Sequence, residues 1–310
     1  MNPYDFVRID WEKPPKRRRP VPHHRFTGWT GYLEGTITAE TPIFLPKHKR
    51  TETTGLKKFQ TNLHGQPIIP GSSLKGLLRS LVETVAPGCW WLYSGQYQDA
   101  PYSEKLPRKF KRCSKAEELC PSCRLFGTVS GSVVFLGKIG FDDAICEPPV
   151  DHEPSYTPVL DSPKPRHTAW YLDSKGQWVA GRKFYFHQRE IQRAEKLIQS
   201  RSGQPLNQHI QPLNTGSVFH FRAQFTNLEE EEFPLLLYAL VLEQRALGHE
   251  RDLRHKLGYA KPAGLGSVHI QVKRLVRWRD GARYTRGDVE NYTADALKNF
   301  LNQQTARYRN

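Results

Sequence analysis

The sequence feature that most constrains the fold is an amphipathic segment, IIPGSSLKGLLR, at residues 68–79. Apolar residues recur at helical spacing in it and just after it, at Leu74, Leu77, Leu78, Leu81, Val82 and Val85. This pattern predicts a helix with one face in a core, ended by Pro87 and Gly88. The Gly-Ser-Ser start offers backbone N–H groups and hydroxyls to an anion. The polar residues that the core leaves available to a phosphate are Ser72, Ser73, Lys75 and Arg79.

A glycine-rich stretch, HKLGYAKPAGLGSV at residues 255–268, is a second candidate for anion binding. Its glycines and its proline predict a bent loop between a helix and a strand, where backbone amides approach phosphates closely. Lys256 and Lys261 bring positive charge to this loop. Glycines also serve ordinary turns, so the stretch does not define a function by itself. The candidates for phosphate contact here are Lys261, Gly264 and Gly266.

Periodicity along the chain predicts an α+β fold. The expected elements are a strand at 28–39, the helix around Leu74, strands at 133–141 and 218–226, a helix at 229–247 and a strand at 268–272. The order strand, helix, strand, strand, helix, strand is that of ferredoxin-like (RRM-like) modules that recognise RNA. The acidic residues that open the second helix suit its positive end.

The length of the chain bounds its domain organisation. It has 310 residues and no clean linker, which favours one core that carries long insertions. We predict an N-terminal basic arm at 1–27 and a single RRM-like domain at 28–310, with insertions at about 41–70, 87–130 and 144–211. The last insertion is too long for an idle connection, so we expect it to contact RNA, a neighbouring protein or both.

The balance of charged and aromatic residues indicates a nucleic-acid partner. Lys and Arg number 46 against 31 Asp and Glu, for a formal net charge of +15, and 13 tyrosines with 7 tryptophans offer stacking surfaces. This combination is typical of proteins that bind single-stranded nucleic acid. Charge that serves only solubility, or a membrane-facing patch, is the alternative. No apolar run approaches the ~18 residues that span a bilayer and the start of the chain lacks an apolar signal core, so we expect a cytoplasmic protein with no membrane partner.

The cysteines predict a metal site. Cys120 and Cys123 form a CxxC pair and Cys113 lies seven residues before it, a compact spacing that suits tetrahedral zinc. Cys89 is the natural fourth ligand because it lies upstream in the same segment between predicted elements. Weaker candidates for that position are His64 and His152. A cytosolic chain keeps such cysteines as thiols or metal ligands, so we expect a closed structural zinc site rather than a disulfide or a catalytic metal.

The chain resembles the RAMP superfamily in four motifs that follow one another in sequence. They are PYDFV at 3–7, the IPGSSLKGLLR helix, CPSCRLFG at 120–127 and GLGSV at 264–268. RAMP proteins are repeat-associated proteins that form the RNA-binding backbone of type III CRISPR effector complexes. The resemblance covers most of the chain and implies a ferredoxin-like fold, in agreement with the periodicity. The partners that it implies are CRISPR guide RNA, complementary target RNA and other subunits of the effector complex.

The resemblance also implies a thumb, a projecting loop that kinks the bound guide in RAMP backbone subunits. The matching loop is residues 41–70, whose RNA-binding candidates are Lys47, Lys49 and Arg50. RAMP subunits that cut target RNA use a thumb aspartate with a divalent metal such as magnesium or manganese. The loop in this chain contains no Asp, and its only acid is Glu52. The weak candidates for catalysis are therefore Glu52, His48, His64, Asp143 and Asp161.

These features favour a scaffold, an RNA-binding subunit that displays the guide for pairing with target RNA in antiviral defence. Sequence specificity then comes from guide pairing rather than from side chains. Three alternatives stay open: a guide-dependent endoribonuclease subunit, a RAMP protein that processes the guide precursor, and a capping subunit that contacts mainly proteins. Cleavage of isolated repeat RNA would identify the processing enzyme, and weak RNA affinity with little salt dependence would identify the capping subunit.

Overall fold

The computed structural model describes residues 2–47, 55–90, 105–161, 168–188, 190–242, 253–279 and 288–308. Its strands are β1 Tyr4–Val7, β2 Trp29–Ala39, β3 Leu56–Lys57, β4 Ile68–Ile69, β5 Gly127–Ser130, β6 Val133–Leu136, β7 Ile139–Phe141, β8 Ala144–Cys146, β9 Ser155–Tyr156, β10 Arg182–Tyr185, β11 His209–Ile210, β12 Val218–Leu228, β13 His255–Lys256, β14 Ser267–Trp278 and β15 Glu290–Thr293. Its helices are α1 Gly71–Val85, α2 Pro121–Phe126, α3 Thr168–Tyr171, α4 Glu232–Val241 and α5 Ala294–Thr305. The protein is thus a mixed α+β fold. Among the described helices, none has both the length and the apolar character to cross a bilayer.

The largest sheet is antiparallel and contains eight strands. Its order is β13-β14-β2-β12-β8-β4, with β15 also beside β14 and β7 also beside β12. The long strands β14, β2 and β12 form its centre, where Glu34 lies opposite Arg222 on one side and Arg274 on the other. Side chains along each strand alternate between the two faces of the sheet. One face therefore belongs to the core and the other points away from it.

The core lies between this sheet and the helices α1 and α4. The residues that meet there include Ile37 and Ile270 from the sheet, Leu74 and Leu78 from α1, and Leu240 from α4. Leu74 and Leu78 are buried because they lie one turn apart on the apolar stripe of α1. The helix thus buries the face that its sequence predicts.

The long elements that periodicity predicts are confirmed, with shifted ends. β2, β12 and β14 lie where strands are expected, and α1 lies where the amphipathic helix is expected. The prediction of a single strand at 133–141 is wrong, because β6 pairs with β5 whereas β7 pairs with β12. Helix α4 is shorter than predicted, since it ends at Val241, and residues 243–252 lie outside the described residues.

The N-terminal segment is packed onto the rest of the chain. β1 pairs with β10 in antiparallel fashion. Arg18 and Leu119 exchange backbone hydrogen bonds of 3.1 and 3.0 Å. The Arg17 guanidinium donates to the carbonyl oxygens of Lys109 and Lys111 at 3.0 and 2.8 Å. Cations in the segment predicted as a basic arm therefore also hold the fold together.

A largely buried ionic cluster joins the N-terminal segment, α2 and the turn before β7 to the start of α4. Its members are Arg18, Arg124, Lys138, Glu229, Glu231 and Glu232. The Lys138 Nζ lies 2.7 Å from Oε2 of Glu232, and Nε of Arg124 lies 3.0 Å from Oε1 of the same carboxylate. The acidic start of α4 suits the helix dipole, as predicted, and it also neutralises cations from three other segments.

Candidate nucleic-acid interface and metal site

The start of α1 differs from the arrangement that its sequence suggests. Gly71, Ser72 and Ser73 lie inside the helix, and Pro70 occupies the N-cap position. The Gly71 N–H donates to Oδ1 of Asp143 at 2.8 Å. A carboxylate from the turn between β7 and β8 therefore already occupies the positive end of the helix. Asp143, a weak candidate for catalysis, is engaged in this contact.

Gly71 is required by the close approach of α1 to β7. A Cβ at this position would lie 2.0 Å from the carbonyl oxygen of Phe141, whereas a Cβ at Gly76 would meet no atom within 4 Å. The two glycines of α1 therefore have different roles. The first permits packing, and the second leaves open space beside the helix.

We expect Gly71→Ala to lower the free energy of unfolding and Gly76→Ala to raise it. The first change forces α1 away from β7, at a cost of about 1–3 kcal/mol. The second restricts the unfolded chain without a clash, a gain of about 0.4–1 kcal/mol. Denaturant titration of both variants measures the difference. Equal stability of the two variants would contradict the packing role of Gly71.

One groove of about 1200 Å³, hereafter the basic groove, brings the two predicted anion-binding motifs together. Its lining includes Ser72, Ser73, Gly76 and Ser80 from α1, Lys256, Gly258, Tyr259 and Lys261 from the glycine-rich stretch, and Lys183 and Tyr185 from β10. The helix contributes small polar side chains and also the apolar side chains of Leu77 and Leu81. The other two segments contribute cations and aromatic rings. This composition fits the backbone and the bases of a single-stranded nucleic acid.

Besides Arg254, the lining of the basic groove contains a second cation that the sequence pattern did not reveal, Lys183. Its Nζ lies 4.6 Å from the ring centroid of Tyr4 and 5.1 Å from that of Tyr185. Such cation–π contacts hold the ammonium group in place. β10 lies within the predicted insertion at 144–211, to which no element was assigned. No alternation marks RKFY at 182–185, and the local signal that could have identified this strand is only the high strand propensity of Phe184, Tyr185 and Phe186.

Lys256 and Lys261 stiffen the glycine-rich loop from within. Lys256 Nζ donates to the carbonyl oxygens of Gly264 and Leu265 at 2.9 and 3.0 Å, and Lys261 Nζ donates to that of Gly258 at 2.7 Å. Burial, together with the charge of Lys261, lowers the pKa of Lys256 to about 8. Burial also lowers the pKa of Lys261. The main contacts of both lysines are therefore with the loop itself, whose conformation they stabilise.

The backbone geometry at positions 264 and 266 requires glycine. Their φ angles are +98° and +76°, which favour glycine. A Cβ at Gly266 would lie 1.8 Å from the carbonyl oxygen of Leu257. Both glycines form the turn that leads into β14, and their contact with phosphate stays a prediction.

Arg79 and Lys75 do not line the basic groove, as far as the described residues define it. Nη1 of Arg79 donates to the carbonyl oxygen of Gly127 at 2.9 Å, and Nη2 donates to Sγ of Cys123 at 3.4 Å. Its Nε also pairs with Glu83 at 3.0 Å. Arg79 is therefore engaged within the fold, and its contact with phosphate stays a prediction. Lys75 lies one turn earlier, and burial, followed by the charge of Arg79, lowers its pKa.

Four buried cysteines form a second candidate site. They are Cys89, which follows α1, Cys113 in the segment before α2, Cys120 at the N-cap of α2, and Cys123 within α2. Their sulfur atoms all lie within 4.8 Å of one another. Tetrahedral zinc, with Zn–S bonds of ~2.3 Å, needs sulfur atoms roughly 3.8 Å apart. The group could therefore hold a metal ion such as zinc.

The surroundings of the sulfur atoms suit thiolates. The Cys89 N–H donates to Sγ of Cys120, and the Cys120 N–H donates to Sγ of Cys113, each at 3.4 Å. Hydrogen bonds among the four side chains, that with Cys113 first, lower the pKa of Cys120 and raise the pKa of Cys89 and of Cys123. Arg182 donates to the carbonyl oxygen of Cys89 at 3.2 Å. Four thiolates around a divalent ion would carry excess negative charge. The guanidiniums of Arg79 and Arg182, which both also pair with Glu83, would help to balance it.

Among the described residues, the remaining sequence candidates do not converge on either site. His48, Lys49, Arg50 and Glu52 lie outside the described residues. Lys47 is exposed, and its Nζ donates to Oγ1 of Thr61 at 3.3 Å. His64 and His152 are not members of the described cysteine group. Neither His64 nor Asp161 is among the described residues that line the basic groove.

The fold and the two sites define an α+β protein with a basic groove and a four-cysteine centre. The chain matches the RAMP superfamily over residues 36–269, which is more than half of its 310 residues. The chain therefore belongs to the RAMP superfamily, and the resemblance that its motifs carry is confirmed. Membership indicates a CRISPR-associated RNA-binding protein. A comparison with curated proteins finds no match.

Proposed function

We propose that this chain is a backbone subunit of a cytoplasmic type III CRISPR effector complex. It binds guide RNA in the basic groove and displays it for pairing with complementary target RNA. The observation that carries this proposal is the convergence of α1 and the glycine-rich stretch on one groove, together with Lys183. These segments are far apart in sequence, and a plain structural role for each would not require a shared groove.

We propose that the core is ferredoxin-like. The order along the chain is β2, α1, β7 and β8, β12, α4 and β14. In the sheet, β2 lies between β14 and β12, and β7 and β8 both pair with the other edge of β12. This order is consistent with a βαββαβ unit. The proposed organisation keeps a basic arm at 1–27, an RRM-like domain at 28–310, insertions at about 41–70, 87–130 and 144–211, and a thumb in the first of them.

The contacts with RNA are proposed to be independent of base sequence. Ser72 and Ser73 offer hydroxyls, Lys183 offers charge, and Tyr185 and Tyr259 offer ring faces along the same groove. Contacts of this kind hold a backbone and stack bases without reading them. Guide pairing then supplies the specificity of the complex.

We propose a scaffold rather than a nuclease. Asp143 is engaged at the start of α1, and the described positions of His64 and Asp161 do not line the basic groove. A catalytic set of acids and a general base must lie within reach of one scissile bond. Magnesium or manganese would be required only under the alternative in which this subunit cuts RNA.

We expect Lys183→Glu to weaken binding of a single-stranded RNA oligonucleotide about tenfold. The change removes one phosphate contact, so the salt dependence of the affinity should become shallower by about 0.7 in slope. Fluorescence anisotropy over a salt series measures both quantities. Melting temperature confirms that the variant is folded, and Lys183→Gln provides a milder version of the same test.

Lys75→Glu is the matched control. It makes the same charge change at a lysine that the sequence suggests for phosphate contact but that does not line the basic groove. We expect it to change affinity less than Lys183→Glu does. An equal or larger effect at Lys75 would contradict the assignment of the basic groove. An unchanged affinity and salt slope in folded Lys183→Glu would contradict it as well.

A further inference from the structure

The outward face of the central sheet carries a second concentration of cations. This face lies opposite the helices α1 and α4, because its side chains alternate with the buried ones along each strand. Its members include Tyr32, Glu34 and Thr36 of β2, His220, Arg222 and Gln224 of β12, and Gln271 and Arg274 of β14. Lys273 is exposed at the irregularity between Val272 and Arg274. Among the outward positions of these three described strands, Glu34 is the single acid.

Arg222 and Arg274 stand on either side of Glu34. Their nearest nitrogen atoms lie 3.6 and 3.7 Å from its carboxylate oxygens, and the three side chains are 47%, 43% and 35% exposed. These separations exceed hydrogen-bond distance, and exposed ion pairs of this kind contribute little. A phosphate can therefore compete with Glu34 for both guanidiniums at low cost.

Tyr32 holds these guanidiniums in place. The Cζ of Arg222 lies 4.3 Å from the ring centroid of Tyr32, and that of Arg274 lies 5.7 Å from it. A planar guanidinium packed on a ring presents its other face to solvent, where a nucleobase can stack. Lys273 adds a point charge at the edge of this platform. The arrangement combines stacking with phosphate contact, as single-stranded RNA requires.

We infer that this face, defined by Tyr32, Arg222, Lys273 and Arg274, is a second binding site for single-stranded RNA. It lies on the other side of the sheet from the helices, whereas the basic groove is lined by α1. The inference goes beyond the proposed guide-binding groove and does not depend on the assignment to a type III complex. RNA is favoured over a protein partner because the exposed groups are charged and planar. The apolar side chains of Val276 and Trp278 on this face are 6% and 7% exposed, so they offer little surface to a protein interface.

The test uses the whole chain and an oligouridylate probe. We expect Arg222→Gln/Arg274→Gln to weaken binding at least fivefold, and Glu34→Gln to strengthen it about twofold because a competing carboxylate is lost. Arg222→Lys keeps the charge but loses the planar surface, so it should weaken binding by an intermediate amount. Lys109→Gln/Lys115→Gln, at exposed positions in the segment before α2, is the control with the same loss of charge.

Crosslinking of the bound probe should label peptides from β2, β12 or β14 in the wild type, and this labelling should be lost in Arg222→Gln/Arg274→Gln. Equal affinities of that variant and the control variant would overturn the inference. Retained RNA affinity with loss of a bound protein partner would overturn it too, and would make the face a protein interface. Because Lys183→Glu tests the basic groove separately, failure at one site is distinguishable from failure at the other.

Discussion

Replacing Cys120 with serine is expected to abolish metal binding and to lower the free energy of unfolding by about 3 kcal/mol or more. Structural zinc binds small zinc-finger peptides with roughly 10–16 kcal/mol, and a site with a missing ligand forfeits a large part of that energy. Freshly purified wild-type protein should contain about one zinc ion per chain. Elemental analysis measures the metal, and thermal denaturation with and without a chelator measures the stability.

Cys146→Ser is the matched control for this substitution. Cys146 is also fully buried, but it lies in β8 and is not a member of the described cysteine group. We expect this variant to keep its zinc and to lose little stability. Wild-type protein without metal, or equal stability of the two serine variants, would refute the metal site.

The cysteine group was predictable because most of its spacing is local. Cys113, Cys120 and Cys123 fall within one short segment, and the motif specifies residue types that zinc requires. The contact of Arg79 with Cys123 was not predictable in the same way. Amphipathicity separates a core face from the rest of a helix, but it does not show which other segment packs against the polar flank.

The long elements follow from periodicity, whereas their neighbours do not. Alternation in β12 predicts that Arg222 points outward, yet only the register with β2 and β14 places Glu34 and Arg274 beside it. Asp143 reaches the start of α1 through a contact between residues 72 positions apart. Such long-range pairs carry no local signal. The basic groove itself depends on them, because β10 completes it from a segment without a clear pattern.

Replacing Glu232 with glutamine is expected to lower the free energy of unfolding by about 3–5 kcal/mol. Its carboxylate lies between Lys138 and Arg124, and the side chains of Lys138 and Glu232 are 0% and 1% exposed. Removal of one member of a buried ionic cluster leaves charges that water cannot reach, and the cost of such charges is large. Denaturant titration at constant salt measures the loss. Because glutamine has nearly the same shape as glutamate, Glu232→Gln measures the loss of charge with little change in packing.

Glu231→Gln is the control, because Glu231 also binds Arg124 but its side chain is 56% exposed. We expect that variant to lose no more than about 1 kcal/mol. The double variant Glu232→Gln/Lys138→Met should recover part of the stability. It removes the buried ammonium group of Lys138 as well as the Glu232 carboxylate that neutralised it. If the double variant is less stable than Glu232→Gln alone, the cost at this position comes from lost packing and not from an uncompensated charge. The cluster would then be a space-filling contact between α4 and the segments around it, and its charges would contribute little to the fold.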